Sequence, residues 1–297
     1  MKNFISKKMG QIFGDFRDSL VMIGKCCSLK DVTYLGGNIP DYSKPEIQQL
    51  YLLKYFPAYL IEYYNIYSKI IKLDFLSTPF NILSIGTGCG VDYCGLEFAL
   101  RDSEMNSADY AYYTGIDRIT WNYREYFGNK DCLYLDKDIT EWNKLDKNNY
   151  SIIMFPKSIG ELNGNDFQKI LDIFNNSKFQ CNKMIIASSV RELSDEIDVH
   201  RLSNLIDIFI KEHGYTCLDK KATYTHFKED VGLRKIFSDF VYPQDILDFL
   251  ANLLEQCEGY RLNEQNSCEA ECESILNRWP ILKTGHIKFQ IKRLEKA

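Results

Sequence analysis

The residues with the clearest chemical meaning are three glycines that alternate with other residues after an apolar run. The run, residues 80–85, is predicted to be a β-strand, and Gly86, Gly88 and Gly90 follow it directly. Glycine is needed where the backbone turns sharply or approaches a ligand that a Cβ would exclude. A dinucleotide fingerprint requires Gly-x-Gly-x-x-Gly, but here Val91 occupies the third-glycine place. The spacing therefore disfavours a dinucleotide.

Carboxylates follow the next two predicted strands. Asp117 ends the second strand, and Asp136 and Asp138 come after the third. A carboxylate presents several acceptors and suits two vicinal hydroxyl groups. The alternative for Asp117 is a cap on the turn before Ile119. Because open parallel sheets bind ligands at the carboxyl ends of their strands, we expect these residues near the glycine loop.

A polar loop follows the fourth predicted strand, residues 150–155, and contains Pro156, Lys157, Ser158 and Glu161. Glu161 is predicted to remove a proton from a bound substrate or to hold an amine of that substrate. The alternative is a carboxylate that stabilises the N-terminus of the next helix. Glu161 and Ser158 are therefore the predicted catalytic residues.

The elements that position these residues alternate along the chain. Apolar runs predict strands at 80–85, 112–116, 132–135, 150–155 and 183–188, and helical spacing predicts helices at 92–101, 121–127, 166–174 and 199–212. This alternation predicts an α/β fold with a parallel sheet covered by helices on both faces.

The remaining segments define the predicted domain organisation. Residues 1–78 carry helical spacing and form a predicted N-terminal cap or lid, with a hinge at residues 35–42. Residues 79–297 form the core, interrupted by an insertion around 229–283 and completed by a strand at 286–294.

In this context, the glycine loop and the acidic strand ends resemble class I S-adenosylmethionine-dependent methyltransferases over roughly residues 80–220. The resemblance implies a Rossmann-like sheet and S-adenosyl-L-methionine as cofactor. The cofactor-binding residues that it implies are Gly86, Thr87, Gly88, Gly90, Asp92, Asp117, Arg118, Asp138, Ile139 and Pro156.

The same resemblance implies individual roles. Asp117 would accept hydrogen bonds from the ribose hydroxyls. Asp138, with Asp136 as the alternative, would lie near the adenine amino group, and Ile139 would pack on the adenine face.

One position departs from the family pattern. Many members carry an acidic residue where Ser84 stands. Asp92 is then expected to bind the methionine amino group or to cap the following helix.

The predicted activity is methyl transfer to a small molecule. The loop after the fourth strand lacks the Asn- or Asp-Pro-Pro-aromatic motif and the Pro-Cys pair of two nucleic-acid methyltransferase classes, and the net charge of −5 disfavours nucleic acid as a partner. An RNA or protein methyltransferase stays open because lysine strips at 69–72 and 220–221 could contact phosphates. Aminopropyl transfer of the nicotianamine synthase type and a non-catalytic binding module also stay open.

Cysteine and histidine residues give weaker signals. Cys257, Cys268 and Cys272 offer at most a metal half-site, so no metal is predicted. His226 is the histidine best placed to reach an active site. Ten cysteines without a secretory signal indicate reduced thiols and a cytoplasmic protein, and no apolar run is long enough for a membrane span.

Overall fold

The computed structural model describes residues 1–33, 39–127, 132–145, 149–191, 195–227, 231–233, 240–262 and 271–296. The chain forms two compact units. One consists of Met1–Ala58 and Val231–Thr284, and the other of Tyr59–Asp230 and Gly285–Ala297. This division by contacts differs from the boundary predicted after residue 78. That boundary stays a prediction of domain organisation.

The second unit contains a mixed sheet, which within the described ranges has eight strands. They are β1 (Phe80–Ile85), β2 (Ala111–Asp117), β3 (Cys132–Asp136), β4 (Ile152–Phe155), β5 (Lys183–Ser189), β6 (Tyr215–Cys217), β7 (Thr225–His226) and β8 (Lys288–Lys296). The strand order is β3-β2-β1-β4-β5-β8-β6, and β7 pairs with β8. The first five strands of this order are parallel, whereas β8 runs antiparallel to β5 and β6. The predicted Rossmann-like α/β sheet with helices on both faces is confirmed.

The helices of this unit follow the strands in alternation. They are the C-terminal part of α2 (Pro45–Lys72), then α3 (Val91–Asp102), α4 (Ser107–Tyr110), α5 (Arg124–Phe127), α6 (Gly164–Asn176) and α7 (Asp195–His213). Helix α5 is shorter than the predicted helix over 121–127. The other strand and helix predictions between residues 80 and 213 agree with these bounds to within a few residues.

Helices cover both faces of the sheet. On one face, apolar side chains of the strands pack with α6 and α7 in a buried cluster that includes Leu83, Ile153, Ile186, Ile170, Phe174, Leu205 and Phe209. Successive strand residues point to opposite faces, so Ser84 points away from this cluster. Its hydroxyl contacts Asp92 of α3. On that side α3 lies tightly on α2, because a Cβ at Gly95 would come within 2.6 Å of Tyr63 Cβ.

The first unit is helical. Helix α1 (Lys2–Ile23) buries Ile5, Met9, Ile12, Phe16 and Leu20, at the three- and four-residue spacing expected of one helix face. Helix α2 continues through Pro57. The unit also contains α8 (Gln244–Ala251), α9 (Glu258–Arg261) and α10 (Glu271–Leu276). The first four residues of the predicted hinge, 35–38, lie outside the described residues.

A membrane span was not expected from the sequence. Across the described residues, no helix combines the length and the apolar character that crossing a bilayer requires.

Candidate functional site

The predicted site residues converge at the carboxyl ends of the parallel strands. Gly86 follows β1, Asp117 is the last residue of β2, and Pro156 follows β4. The Ile116 carbonyl oxygen of β2 accepts hydrogen bonds from the backbone N–H groups of Gly86 at 2.7 Å and Thr87 at 3.2 Å. The start of the glycine loop is therefore fixed to the neighbouring strand.

The glycine loop needs glycine at each of its three positions. Gly86, Gly88 and Gly90 have φ angles of 72°, 58° and 87°, in the left-handed region that other residues rarely adopt. A Cβ at Gly86 would also lie 2.3 Å from Ser158 Cβ. One at Gly90 would lie 2.0 Å from Tyr134 Oη. Backbone conformation and close packing thus explain the alternating glycines.

Asp92 lies in the first turn of α3, directly after this loop, and its carboxylate is fully buried. It accepts hydrogen bonds from Ser84 Oγ at 2.7 Å, Thr87 Oγ1 at 2.9 Å and Tyr113 Oη at 2.8 Å. Burial raises the pKa of Asp92, and these hydroxyl donors oppose that shift. Asp92 therefore ties β1, β2 and the glycine loop together, and its expected contact with a methionine amino group stays a prediction.

Asp117 links the end of β2 to the glycine loop. Its Oδ2 accepts the Gly88 N–H at 2.8 Å, and its Oδ1 accepts the Ile119 N–H at 2.9 Å. The contact with Ile119 is the turn cap named as the alternative from sequence. The contact with Gly88 also places this carboxylate beside the loop. Burial raises the pKa of Asp117, while both N–H donors lower it.

The two carboxylates after β3 have different partners. Asp138 Oδ1 accepts from the Thr140 N–H at 2.9 Å and caps a 3₁₀ helix that begins at Ile139. Asp136 pairs with Arg124, which also donates to the Gly88 carbonyl oxygen at 3.1 Å. The use of Asp138 or Asp136 for adenine stays a prediction.

Ile139 and Arg118 lie in contrasting environments. Ile139 is buried in the core cluster on the α6 and α7 face of the sheet, and Arg118 is exposed. Their roles in cofactor binding also stay predictions.

The loop after β4 contacts the glycine loop directly. Pro156 is buried, and Ser158 Oγ donates a hydrogen bond to the Ile85 carbonyl oxygen at the end of β1. This bond, together with the close approach to Gly86, gives Ser158 a positioning contact. Its catalytic role stays a prediction.

Glu161 is the acidic residue of this loop. Burial raises the pKa of Glu161 to about 7; the Arg191 charge opposes the shift, and the Asp117 and Asp198 charges reinforce it. Its side chain keeps partial solvent exposure. Helix α6 begins only at Gly164, with Asn163 as its N-cap. Glu161 thus precedes the helix, and the helix-terminus alternative is not observed.

A second carboxylate–arginine pair supports this loop and was missed from the sequence. Asp198 is fully buried and accepts from the Arg191 backbone N–H at 2.7 Å and from Arg191 Nη2 at 2.8 Å. A Cβ at Gly160 would come within 2.1 Å of Arg191 Nη2. Arg201 Nη1 also donates to the Leu162 carbonyl oxygen at 2.7 Å. The sequence signal that could have identified this pair is the position of Arg191 two residues after the end of β5.

Lys157 forms a buried ion pair that the sequence did not predict. Its Nζ lies 2.9 Å from Glu62 Oε2, and Glu62 is fully buried. Lys157 Nζ also donates to the Val190 carbonyl oxygen at 3.2 Å. The backbone of Lys157 has φ 60°, an unusual value for a residue other than glycine. A lone carboxylate in the apolar part of α2 was the signal for this pair.

The weaker candidates do not join this set. His226 is exposed on β7, and its Nδ1 lies 3.0 Å from the Phe227 carbonyl oxygen. Cys257 and Cys272 are buried, and Cys268 lies outside the described residues. No group of three or more histidine, cysteine or acidic residues suited to a metal occurs in the described part of the chain.

Comparison with known proteins gives similarity only to solved structures. No family model matches the chain, and no curated protein matches it. The plantazolicin methyltransferase BpumL in complex with a monoazolic desmethylPZN analog and SAH is 13% identical, with a TM-score of 0.44 and 99% of each chain covered. A putative methyltransferase (BH2331) from Bacillus halodurans C-125 is 11% identical, with a TM-score of 0.39, 78% of this chain covered and 99% of that one.

Haemonchus contortus phosphoethanolamine N-methyltransferase 2, in complex with phosphomonomethylethanolamine and S-adenosylhomocysteine, is 14% identical. Its TM-score is 0.39, with 91% of this chain covered and 61% of that one. The fold assignment rests on the strand order of this protein and not on these similarities.

Proposed function

We propose that this protein is an S-adenosylmethionine-dependent methyltransferase that acts on a small-molecule acceptor. The observation that carries the proposal is the 2.8 Å hydrogen bond from the Gly88 N–H to Asp117 Oδ2. It joins a left-handed glycine loop to an acidic strand end at the edge where open α/β sheets bind ligands. The likeness to class I methyltransferases, first seen in the sequence, concerns this same pair of features.

The residues present fit this cofactor. Each Asp117 oxygen accepts one backbone N–H but has a further lone pair, so the carboxylate can also accept from two ribose hydroxyls. The left-handed φ angles of Gly86, Gly88 and Gly90 turn the loop at the carboxyl end of β1, the edge where the ligand would lie. The remaining proposed contacts come from Thr87, Asp92, Arg118, Asp138, Ile139 and Pro156. When bound, the cofactor supplies an electrophilic methyl group on a sulfonium.

Glu161 is the proposed general base. Its raised pKa keeps a fraction of the carboxyl groups protonated near neutral pH and leaves the remainder able to accept a proton. Glu161 would take the proton from an acceptor nitrogen or oxygen as that atom forms its bond to the methyl carbon. Arg191, held by Asp198, contributes the positive charge that keeps the Glu161 carboxylate ionisable. Ser158 would position the loop through the Ile85 carbonyl oxygen.

Calorimetric titration tests the cofactor directly. The purified protein is titrated with S-adenosylmethionine, S-adenosylhomocysteine and NAD. Saturable binding of the first two without NAD supports the proposal. Binding of NAD alone contradicts it and indicates a dinucleotide site, whereas binding of none of the three contradicts it and favours a non-catalytic module.

Product mass then separates two reactions of the same cofactor. Methyl transfer adds a methyl group to the acceptor and leaves S-adenosylhomocysteine, whereas aminopropyl transfer of the nicotianamine synthase type leaves methylthioadenosine. The glycine loop is compatible with both. Detection of S-adenosylhomocysteine supports the methyltransferase, and detection of methylthioadenosine contradicts it.

A reducing compartment is the proposed setting. The described cysteines form no disulfide bond, which is typical of cytoplasmic proteins.

A further inference from the structure

Two lysine strips that are far apart in the sequence meet at one cavity of the second unit. The cavity has a volume of about 470 Å³ and is lined by Lys69 and Lys72 of α2, Lys220, and Lys292 and Arg293 of β8. Its volume falls in the range of small-molecule sites. None of its lining residues belongs to the candidate site described above, so the cavity is separate from that site.

The charge of this cavity is strongly unbalanced. Asp219 is the one acidic side chain among its lining residues in the described part of the chain. Arg293 neutralises it, because Arg293 Nη2 donates to Asp219 Oδ1 at 2.9 Å and Arg293 Nε donates to Asp219 Oδ2 at 3.1 Å. The lysines at this cavity therefore lack a compensating carboxylate within its walls.

Lys69 presents an ammonium group that has no acidic partner among the residues that the structure describes. Its Nζ lies 4.9 Å from the centre of the Phe289 ring and 3.5 Å from Thr225 Oγ1. Partial burial lowers the pKa of Lys69. Within the described ranges, Lys72 and Lys220 likewise have no acidic partner in ion-pair contact. An anion that entered here would supply these lysines with the negative charge that the described walls of the cavity do not provide.

The segment that carries Lys220 is held in place by a buried lysine. Lys292 Nζ donates to the carbonyl oxygens of Lys220 and Thr223, each at 2.5 Å, and to Thr223 Oγ1 at 3.1 Å. Gln290 Nε2 adds a bond to the Thr223 carbonyl oxygen at 3.1 Å. These three acceptors take up the N–H donors of the Lys292 ammonium group, so a buried cation fixes this wall of the cavity.

The chemistry of the cavity selects phosphate among anions. Several ammonium groups around one space neutralise a multiply charged oxyanion better than a single carboxylate. The Thr225 hydroxyl lines the same space and can donate to a phosphate oxygen, whereas the Thr223 hydroxyl already donates to the Lys220 carbonyl oxygen at 2.8 Å. We propose that this cavity binds a phosphate group of an anionic ligand through Lys69, Lys72 and Lys220.

Inorganic pyrophosphate is the probe for this proposal. We expect saturable binding to the full chain by calorimetry in low-salt buffer, weakened as the salt concentration rises. Lys69→Gln and Lys220→Gln should each weaken binding at least about threefold. The matched control is Lys169→Gln, which removes an equal charge from the exposed face of α6 and should leave the affinity unchanged.

Two results would overturn the proposal: no saturable pyrophosphate binding to the unsubstituted chain, or equal weakening in Lys169→Gln and the cavity variants. Thermal unfolding of each variant shows whether the fold is intact. Because all the cavity residues lie outside the cofactor site, failure here leaves the calorimetric test with S-adenosylmethionine unaffected.

A second titration identifies the source of the phosphate. A single-stranded oligouridylate of about eight nucleotides is added in place of pyrophosphate. Tighter binding than pyrophosphate, lost in Lys69→Gln and Lys220→Gln, assigns the cavity to a nucleic-acid strand. Binding no tighter than pyrophosphate assigns it to a small phosphorylated compound.

Discussion

The Ser84 hydroxyl donates to the Asp92 carboxylate over 2.7 Å, across the two sides of the glycine loop. Ser84 occupies the place where many class I methyltransferases have an acidic residue. In this protein the charge is instead on the first turn of α3, and the serine connects it to β1. The carboxylate that contacts β1 is therefore contributed by α3.

This relationship gives a charge-relocation experiment. Asp92→Asn should lower the free energy of unfolding by about 1–3 kcal/mol, since it weakens a buried network of three hydroxyl donors. The double variant Ser84→Asp with Asp92→Ser should recover part of that loss. Urea denaturation measures both, and Glu212→Gln on the exposed surface of α7 is the control. A double variant less stable than Asp92→Asn would contradict the exchange.

Asp117 should control cofactor affinity. Asp117→Ala removes the proposed acceptor for the ribose hydroxyls and should weaken S-adenosylmethionine binding about 10-fold or more. Because Asp117 also accepts the Gly88 N–H, Asp117→Asn is the companion variant that keeps one acceptor oxygen. Calorimetry measures the affinities, and thermal unfolding reports the fold. Unchanged affinity in Asp117→Ala would disprove the ribose contact.

Glu161 should set the pH dependence of activity. A base with a pKa of about 7 is protonated below that pH, so methyl transfer should decline as the pH falls from about 8 to 6. Glu161→Gln should lose about 10²-fold in kcat and lose this acid limb. The measurement is a pH–rate profile with an acceptor found by screening. An unaltered profile in Glu161→Gln would assign the base elsewhere.

The same shift has a consequence for folding. The pKa of Glu161 is raised above its ordinary value of 4.5, so the folded state binds its proton more tightly than the unfolded state. The contribution of Glu161 to stability is thus complete at low pH and is lost as the pH rises through about 7. Glu161→Gln should flatten the decline of the free energy of unfolding between pH values of about 4.5 and about 7.

The Lys157–Glu62 pair should be costly to break from one side. Lys157→Met leaves the fully buried Glu62 without its cation and should destabilise the protein by about 3–5 kcal/mol. The double variant Lys157→Met with Glu62→Leu should recover much of this loss. Lys183→Met breaks an exposed pair with Glu295 and should cost under about 1 kcal/mol. Equal losses in Lys157→Met and Lys183→Met, by chemical denaturation, would contradict the buried pair.

Gly86 should tolerate no side chain. Gly86→Ala combines a φ of 72° with a Cβ only 2.3 Å from Ser158 Cβ, so we expect a loss of stability of about 1–3 kcal/mol. The control is Gly10→Ala in α1, where nothing lies within 4 Å of the added Cβ. That helical substitution should stabilise by roughly 0.5–1 kcal/mol. Thermal unfolding compares them, and a neutral Gly86→Ala would show that the loop can relax.

The sequence alone determined the order of strands and helices and the place of the glycine loop. Apolar runs and helical spacing are local patterns, so Phe80–Ile85 and Val91–Asp102 could be read with little error. The ends of parallel strands share one edge, which also brought Asp117 and Glu161 into one prediction. The helix predicted over 121–127 was too long, since the four residues of α5 (Arg124–Phe127) give too little periodicity to locate its start.

Tertiary structure decided the partners of buried charges. Lys157 and Glu62 are 95 positions apart, and neither local pattern contains any trace of the other. Lys69 and Lys220 line one cavity because β8 lies between β5 and β6. The division of the chain into units depends on contacts between segments more than two hundred residues apart. Periodicity specifies which face of an element is buried. Which charge it meets there follows only from the order in which the elements assemble.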